Sequence, residues 1–175
     1  VCFGSLAQRS IISRETIITS LEVANEALKV FDINLRPPYI DGDVLHNSME
    51  LSEVAKFNID ELEPLAKAIL TPGDASRPEE FCEKLLDRYQ KLETICITRG
   101  DKGCLIVDRN QGRADRPGLD IQVADTVGAG DTFTAGLAIG LVNQWSIDQV
   151  AAFANRAAAE TASNQGAMPP LKEKF

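Results

Sequence analysis

Apolar residues recur along the chain with two different periods, which predict strands and helices in turn. Runs rich in β-branched, aromatic and Cys residues at 1–5, 28–37 and 94–98 have the composition of buried strands. Between them, 16–28 and 78–92 place apolar residues on a helical period. Strand and helix alternate in this way through most of the chain. This order predicts an α/β fold, with a mostly parallel sheet and helices on both faces.

The same patterns, together with capping and turn residues, predict the remaining elements. The predicted strands are 1–5, 28–37, 52–58, 94–98, 104–107 and a short run at 120–124. The predicted helices are 16–28, 41–51, a helix that begins at 58–61, 78–92, 133–142 and 147–161. Ser13 is expected to cap the first helix, and Pro78 suits the first turn of the fourth. We predict turns at 71–74 and 99–103, and a loop at 111–118.

Composition limits the classes of function. The chain has 175 residues, of which 44% are hydrophobic, so we expect one globular α/β domain over 1–175. Neither an apolar run of about 20 residues nor a signal-like start is present, so we expect a cytoplasmic protein without membrane partners. The formal net charge of −8 argues against a nucleic-acid partner, which would require clustered Lys and Arg.

Cysteine and histidine chemistry receives little support from the sequence. Cys2, Cys82, Cys96 and Cys104 fall at no zinc-ligand spacing, and we expect buried free thiols. His46 is the only histidine and lies in a polar segment. A nucleophile activated by histidine would depend on this residue alone, and we do not assign one.

The stretch 125–132 has the composition of an anion-binding turn. Its residues are Asp125-Thr126-Val127-Gly128-Ala129-Gly130-Asp131-Thr132, between an apolar-alternating run and an apolar helical run. Gly128 and Gly130 permit positive φ and a close backbone approach, and the following helix adds its positive dipole end. Asp131 has two interpretations at this stage. It could accept a proton from an alcohol, or it could simply cap the helix.

These residues resemble the second signature of the PfkB, or ribokinase-like, family of carbohydrate kinases. The match is Asp-Thr-x-Gly-Ala-Gly-Asp over 125–131, and Phe133-x-x-Gly136 continues it. The resemblance implies a ribokinase-like fold with a small antiparallel hairpin. It also implies that Asp131 is the catalytic base and that the backbone of Gly128, Ala129 and Gly130 forms the anion hole for the transferring phosphoryl group.

Two further segments are similar to fructokinase-like members of that family, and the second of them also to ketodeoxygluconate-kinase-like members. They are Phe3-Gly4-Ser5-Leu6-Ala7 and Asp32-x-Asn34-x-Arg36-Pro37. By this resemblance Arg36 supplies charge stabilisation near the phosphates and fructose is the favoured acceptor, with 2-keto-3-deoxygluconate, ribose or a nucleoside as alternatives. Asp32 and Arg36 could instead form a surface ion pair. Ser5, Gln8 and Arg9 follow the first strand and are either ligand-edge residues or ordinary loop residues.

The tetrad Asn58-Ile59-Asp60-Glu61 also has two interpretations. Asn at an N-cap and Glu three residues later form a capping box, which requires no ligand. The resembled family has an Asn-x-x-Glu motif here, preceded by a Lys, that organises Mg²⁺ and its waters. The resemblance therefore implies that Asn58 contacts the nucleotide and that Glu61 contacts Mg²⁺, through water.

The resemblance also implies positions for ATP and for a monovalent cation such as K⁺. Thr98 and Gly100 correspond to the family's nucleotide-facing hairpin, and Asn155 to a helix that lines the adenine pocket, although Asn155 could equally be a helix-packing amide. In many relatives the Asp125 region and the stretch around Gly166 hold the cation through a carboxylate and backbone carbonyls, which here implies Asp125 and Val127. Gly166 is also expected to end the last helix, in a C′-like position.

Family members are longer than this chain, so we expect the chain to be the C-terminal part of such a kinase. Full-length relatives often pair as homodimers. A non-catalytic nucleotide- or sugar-binding module is the main alternative to an enzyme. A dinucleotide-binding Rossmann enzyme lacks its glycine fingerprint here, and a P-loop nucleotidase lacks its Gly-Lys-Ser/Thr.

Overall fold

The computed structural model describes residues 1–70 and 77–169, and its elements alternate between strand and helix. The strands are β1 (Cys2–Gly4), β2 (Val30–Asp32), β3 (Val54–Asn58), β4 (Thr94–Thr98), β5 (Cys104–Asp108) and β6 (Gly112–Arg116). The helices are α1 (Ile11–Val23), α2 (Gly42–Glu50), α3 (Leu62–Ile69), α4 (Pro78–Arg88), α5 (Ala129–Val142) and α6 (Ile147–Ala162). The turn expected at 71–74 lies outside the described residues.

The six strands form a mixed, mostly parallel sheet in the order β1-β2-β3-β4-β5-β6. β1 pairs with β2 and β2 with β3 in parallel, with Phe3 opposite Phe31 and Phe31 opposite Ala55. An antiparallel hairpin is also present. The predicted fold class is confirmed. Since each strand lies beside its neighbour in sequence, helices link the parallel strands in turn.

The chain divides into two compact units. The first contains Val1–Ile97 and Val107–Asn110, and the second contains Thr98–Ile106 and the chain from Gln111 onward. In the first unit, buried aromatic side chains form much of the core: Phe3 stacks on Phe31 at 5.1 Å between ring centroids, and Phe57 meets Phe81 edge to face at 5.8 Å. The first four residues of β3 are buried, which suits a strand that is covered on both faces.

In the second unit α5 packs closely against α6 because small residues line the contact. A Cβ at Gly136 would lie 3.0 Å from the Cα of Ala154, and one at Gly140 would lie 2.8 Å from the side chain of Val150. Each glycine therefore allows the helix axes to approach to a distance that a larger side chain would prevent. This pair of helices supports the loop at the start of α5.

The beginning and the end of α1 differ from the sequence prediction. The N-cap is Ser10, with an extended backbone, and Ser13 lies inside the helix. The helix ends at Val23 rather than at Leu28, because Ala24 leaves helical geometry (ψ 48°). Ser10 makes no capping hydrogen bond through its side chain. The short 3-10 turn Leu6–Arg9 directly precedes Ser10, and a capping pattern does not reveal such a turn.

Two predictions between β5 and α5 are wrong. Residues 111–118 were expected to form a loop, but 112–116 form β6, in which only Ala114 is buried. A largely polar strand at the end of the sheet order lacks the apolar alternation that identifies strands. Conversely, 120–124 forms no strand, and the side chain of Val123 is 56% exposed. An alternating pattern this short does not by itself produce pairing.

Most other predictions about the elements are confirmed. Pro78 begins α4 at position N1, and Asp41 caps α2 through the N–H groups of Asp43 and Val44. Cys82, Cys96 and Cys104 are buried free thiols, whereas Cys2 is exposed, which corrects that expectation. Among the described helices, none has both the length and the apolar composition that crossing a bilayer requires.

Candidate active site

The glycine-containing turn places Gly128 at the N-cap of α5, in the left-handed region with φ 81° and ψ −11°. A Cβ here would lie 2.2 Å from the backbone oxygen of Ala167, so both the conformation and the packing require glycine. Ala129, Gly130 and Asp131 then occupy the first helical turn. Asp131 is therefore not the N-cap, and the capping interpretation of this residue is wrong. Gly130 adopts helical rather than positive-φ geometry.

The start of α5 presents backbone donors. The N–H of Ala129 donates to the oxygen of Thr126 at 3.3 Å, and that of Thr132 donates to the oxygen of Gly128 at 2.8 Å. Between them, the N–H groups of Gly130 and Asp131 have no acceptor among the residues that the structure describes. Unpaired donors at the start of a 14-residue helix, combined with its dipole, favour an anion.

The Asp131 side chain is exposed, and within 1–70 and 77–169 it has no hydrogen-bond partner or ion pair. Its neighbour Thr132 points the other way, and the Thr161 hydroxyl donates to the Thr132 hydroxyl at 3.0 Å. That bond links the first turn of α5 to α6. The carboxylate is thus held on a fixed helical turn while its oxygens stay available to a hydroxyl.

Asp125 joins the turn to the segment that follows α6. One carboxylate oxygen accepts the N–H of Val127 at 3.0 Å, and the other accepts the N–H of Gly166 at 3.1 Å. The Asp125 N–H donates to the oxygen of Ala162 at 3.2 Å. The structure therefore brings together the two segments expected to hold a monovalent cation. The C-cap of α6 is Ser163, so Gly166 (φ 85°) lies beyond the expected C′ position.

In the first unit, the loop after β2 differs from one of its expected arrangements. The Lys56 ammonium donates to both Asp32 carboxylate oxygens, at 3.1 and 3.2 Å, and both side chains are largely buried. Arg36 is exposed and donates to the backbone oxygen of Leu35 at 3.1 Å. The predicted surface pair of Asp32 with Arg36 is therefore wrong. Arg36 stands at the edge of the sheet with its charge facing outward.

The Asn58 tetrad forms the capping box. The Asn58 side-chain oxygen accepts the N–H groups of Asp60 and Glu61 at 2.9 and 3.0 Å, and one Glu61 oxygen accepts the Asn58 N–H at 2.8 Å. The other Glu61 oxygen accepts the N–H of Leu35 at 2.5 Å. Burial raises the pKa of Glu61, against the opposing effects of these N–H donors and of the Lys56 charge. Both carboxylate oxygens thus serve the backbone, and direct binding of Mg²⁺ would compete with these bonds.

In the second unit, Thr98 ends β4 and Gly100 begins a 3-10 turn with φ 60°. No heavy atom lies within 4 Å of a Cβ built on Gly100, so the surface there is open. The Asn155 side chain donates to the oxygen of Pro117 at 3.3 Å. A Cβ on Gly118, the next residue, would lie 1.9 Å from the oxygen of Asp101. Three of the four expected nucleotide residues therefore belong to segments of the second unit that contact one another.

Asp115 is a supporting residue that the sequence did not reveal. It pairs with both terminal nitrogens of Arg99, and this pairing lowers the pKa of its carboxyl. Arg99 also donates to the backbone oxygen of Cys104 at 3.0 Å. These bonds hold the turn that begins at Gly100. The available signal was weak, since Asp115 lies in a polar segment that was expected to be a loop.

Comparison with known proteins identifies relatives of this arrangement. The model of the pfkB family of carbohydrate kinases matches residues 10–174. A relative named "Probable fructokinase-6, chloroplastic" from Arabidopsis thaliana is 28% identical, over 98% of this chain and 46% of that protein. Fructokinase-1 of Oryza sativa is 29% identical, over 97% of this chain and 54% of that protein. The chain spans about half the length of the curated relatives it matches.

One solved structure in particular resembles the chain in both sequence and fold. Fructokinase from Vibrio cholerae, bound to fructose, ADP and calcium ion, superposes with a TM-score of 0.79 at 25% identity. The match covers 95% of this chain and 55% of that one. The expected resemblance to this family is confirmed.

Proposed function

The chain belongs to the pfkB family of carbohydrate kinases, and from that membership we propose that it carries nucleotide-binding and catalytic residues of an ATP-dependent sugar kinase. The observation that supports this most directly is at the start of α5. The Asp131 carboxylate lies on the same helical turn as the backbone N–H groups of Gly130 and Asp131, which have no acceptor among the described residues. A base next to an anion-binding turn is the combination that phosphoryl transfer to a hydroxyl requires.

In the proposed reaction Asp131 accepts the proton of the attacking sugar hydroxyl. The hydroxyl oxygen forms a bond to the γ-phosphorus of ATP as the bond from that phosphorus to the bridging oxygen breaks, and ADP leaves. The N–H groups of Gly130 and Asp131 stabilise the negative charge on the transferring group, in a turn that Gly128 and Ala129 shape. We assign Arg36 a supporting electrostatic role, because its guanidinium has no acidic partner in the described part of the chain.

Mg²⁺ would supply charge neutralisation of the ATP phosphates when bound. The described residues hold no group of three or more His, Cys, Asp and Glu side chains that could bind a metal ion. Glu61 is buried and already accepts two N–H groups, so we propose that its effect on Mg²⁺ is exerted through water. Asn58 would then act mainly as the residue that positions Glu61.

We propose that ATP contacts the segments of Thr98, Gly100 and Asn155. Their support is the open surface around Gly100 and the bond that holds Asn155 to the Pro117 loop. We propose a monovalent cation near Asp125 and the Val127 carbonyl. The support there is the bond from Gly166 to Asp125, which joins the two segments expected to contribute ligands.

Fructose is the proposed acceptor, supported by the fructokinases among the relatives. The alternatives are 2-keto-3-deoxygluconate, ribose and a nucleoside. We also propose a homodimer for the whole protein, on the family resemblance alone, and light scattering of that protein would test it.

Two measurements test the proposed function. Calorimetric titration of this chain with a non-hydrolysable ATP analogue should give saturable binding that requires Mg²⁺. The whole protein should release ADP from ATP when fructose is added. If fructose gives no ADP, one of the alternative acceptors should. Nucleotide binding without ADP release for any acceptor would favour a binding module. Absence of nucleotide binding by the whole, folded protein would contradict the proposed kinase function.

A further inference from the structure

A cavity of about 270 Å³ lies in the first unit, beyond the ends of β1 and β2. Val44 and Leu45 of α2 contribute buried apolar surface, while Ser5, Arg9 and Tyr39 contribute polar and aromatic groups. Ligands of parallel sheets bind at this carboxyl edge. The volume lies just below the usual range for ligand pockets, which begins at about 300 Å³, so it suits a compact ligand.

Two of the charged residues of the cavity neutralise each other. An Arg14 terminal nitrogen donates to the Asp41 carboxylate at 3.2 Å, and the Arg14 Nε donates to the backbone oxygen of Gln8 at 3.0 Å. The N–H of Val44, together with that of Asp43 and with Arg14, lowers the pKa of Asp41. Asp41 is therefore ionised near neutral pH, and its charge is matched by Arg14. The capping bonds of Asp41 also satisfy the start of α2.

Arg9 remains as the uncompensated charge. Its guanidinium lies over the Tyr39 ring, 5.4 Å from the ring centroid, and no carboxylate of the described residues pairs with it. A guanidinium stacked on an aromatic face keeps the N–H donors at its edge, which suits two-point binding of a carboxylate or phosphate. The chain as a whole carries −8, so an Arg left without an acid partner at a concave site is informative.

We propose that this cavity binds a small ligand through a carboxylate or phosphate group, with Arg9 as its main charged contact and Tyr39 as the surface for its apolar part. All the residues that carry this proposal belong to the first unit. The proposal does not depend on Asp131 or on the glycine turn, and it holds whether or not the chain is part of a kinase.

The test is an NMR titration of the ¹⁵N-labelled chain with inorganic phosphate, gluconate and glucose. Phosphate or gluconate should shift the amide signals of Tyr39, Ile40 and Asp41 in a saturable manner, and neutral glucose should not. A response to phosphate alone assigns a phosphate ligand, and a response to gluconate alone assigns a carboxylate. Arg9→Gln should weaken binding roughly tenfold or more, because a charge-assisted contact is lost.

Arg88→Gln is the matched control. Arg88 is also exposed and lies over a tyrosine ring, at 5.6 Å from the Tyr89 centroid, but outside the cavity. The Arg88→Gln variant should therefore bind phosphate or gluconate as tightly as the unmodified chain does. Tyr39→Leu provides a second variant, which should weaken binding while the thermal midpoint stays near that of the unmodified chain. Shifts confined to Gly130 and Asp131, shifts with glucose, or unchanged binding by Arg9→Gln would each overturn the proposal.

Discussion

The Glu61 carboxylate accepts the backbone N–H of Leu35 at 2.5 Å, and this bond ties the helical turn after β3 to the loop after β2. Leu35 directly precedes Arg36, so the capping box of one helix also fixes the loop that carries the exposed arginine. A motif that was expected to serve either a cap or a metal thus has a third connection, across two strands, that the sequence did not indicate.

Glu61→Gln should lower the free energy of unfolding by about 1–3 kcal/mol, because one of two buried N–H groups would face an amide NH₂ instead of an oxygen. Urea denaturation would measure the loss. Glu63→Gln is the control, since Glu63 is exposed and forms a surface pair with Lys67, and this variant should leave the midpoint nearly unchanged. Equal stability of Glu61→Gln and the unmodified chain would mean that the bond to Leu35 contributes nothing.

Gly128→Ala should destabilise the chain more than Gly112→Ala. Both glycines have φ 81°, so each substitution incurs the left-handed penalty of roughly 1–2 kcal/mol. A Cβ at Gly112 meets open space, whereas one at Gly128 would lie 2.2 Å from the Ala167 oxygen. Thermal or urea unfolding gives the loss of stability in each variant, and the difference between the two losses is the cost of the clash. Identical losses would show that the segment around Ala167 moves away from the added Cβ without loss of stability.

Asp131→Asn should lower turnover in the whole protein by about 10²–10⁴-fold, the usual contribution of a general base, while nucleotide affinity stays unchanged. The physical reason is that an amide cannot accept the hydroxyl proton. ADP release and calorimetric binding of the ATP analogue measure the two quantities. Asp120→Asn is a matched control at an exposed carboxylate outside the turn. Near-normal turnover of Asp131→Asn would contradict the assignment of Asp131 as the general base.

Lys56→Met should cost about 3–5 kcal/mol of unfolding free energy, because it leaves the Asp32 carboxylate buried without its cation. The double variant Lys56→Met with Asp32→Leu should recover a substantial part of this loss. Urea denaturation of both single variants and of the double variant gives the coupling energy. A double variant whose loss equals the sum of the single losses would contradict a coupled buried pair.

Asp41 should make stability depend on pH in the acid range. Its folded-state pKa lies below the ordinary value of 3.8, so its contribution is present above that pH and is lost as the pH falls through the folded-state pKa. Asp41→Asn and Asp41→Ser keep a capping side chain but do not titrate. Both should flatten this part of the curve of unfolding free energy against pH. An unchanged slope in both variants would assign the acid sensitivity to other groups.

Several features could be predicted from local sequence because they depend on local physics. Apolar runs identified β4 and β5, since covered strands need apolar side chains on both faces. The Asn58–Glu61 box and the glycine turn at 128–130 were also evident, because capping and positive φ depend on residue type. The resemblance to a kinase signature rested on the same turn.

Other features could not be predicted, because nonlocal contacts decide them. β6 is polar, and pairing within the sheet rather than its own pattern makes it a strand. The partner of Asp32 is Lys56 on the neighbouring strand, although Arg36 is nearer in sequence. Asp131 lies inside the first turn because Gly128 takes the N-cap, where it packs against Ala167.

Residue type and spacing over a few positions were enough to predict the alternation of strands and helices, the capping box and the glycine turn before α5, because each depends on local physics. Long-range packing sets which charges pair, and it brings Glu61 to Leu35, Asp125 to Gly166 and Arg9 over Tyr39 beside a cavity. These contacts join residues that are 24 to 41 positions apart in the sequence. Such contacts form only when the packed elements bring the residues together.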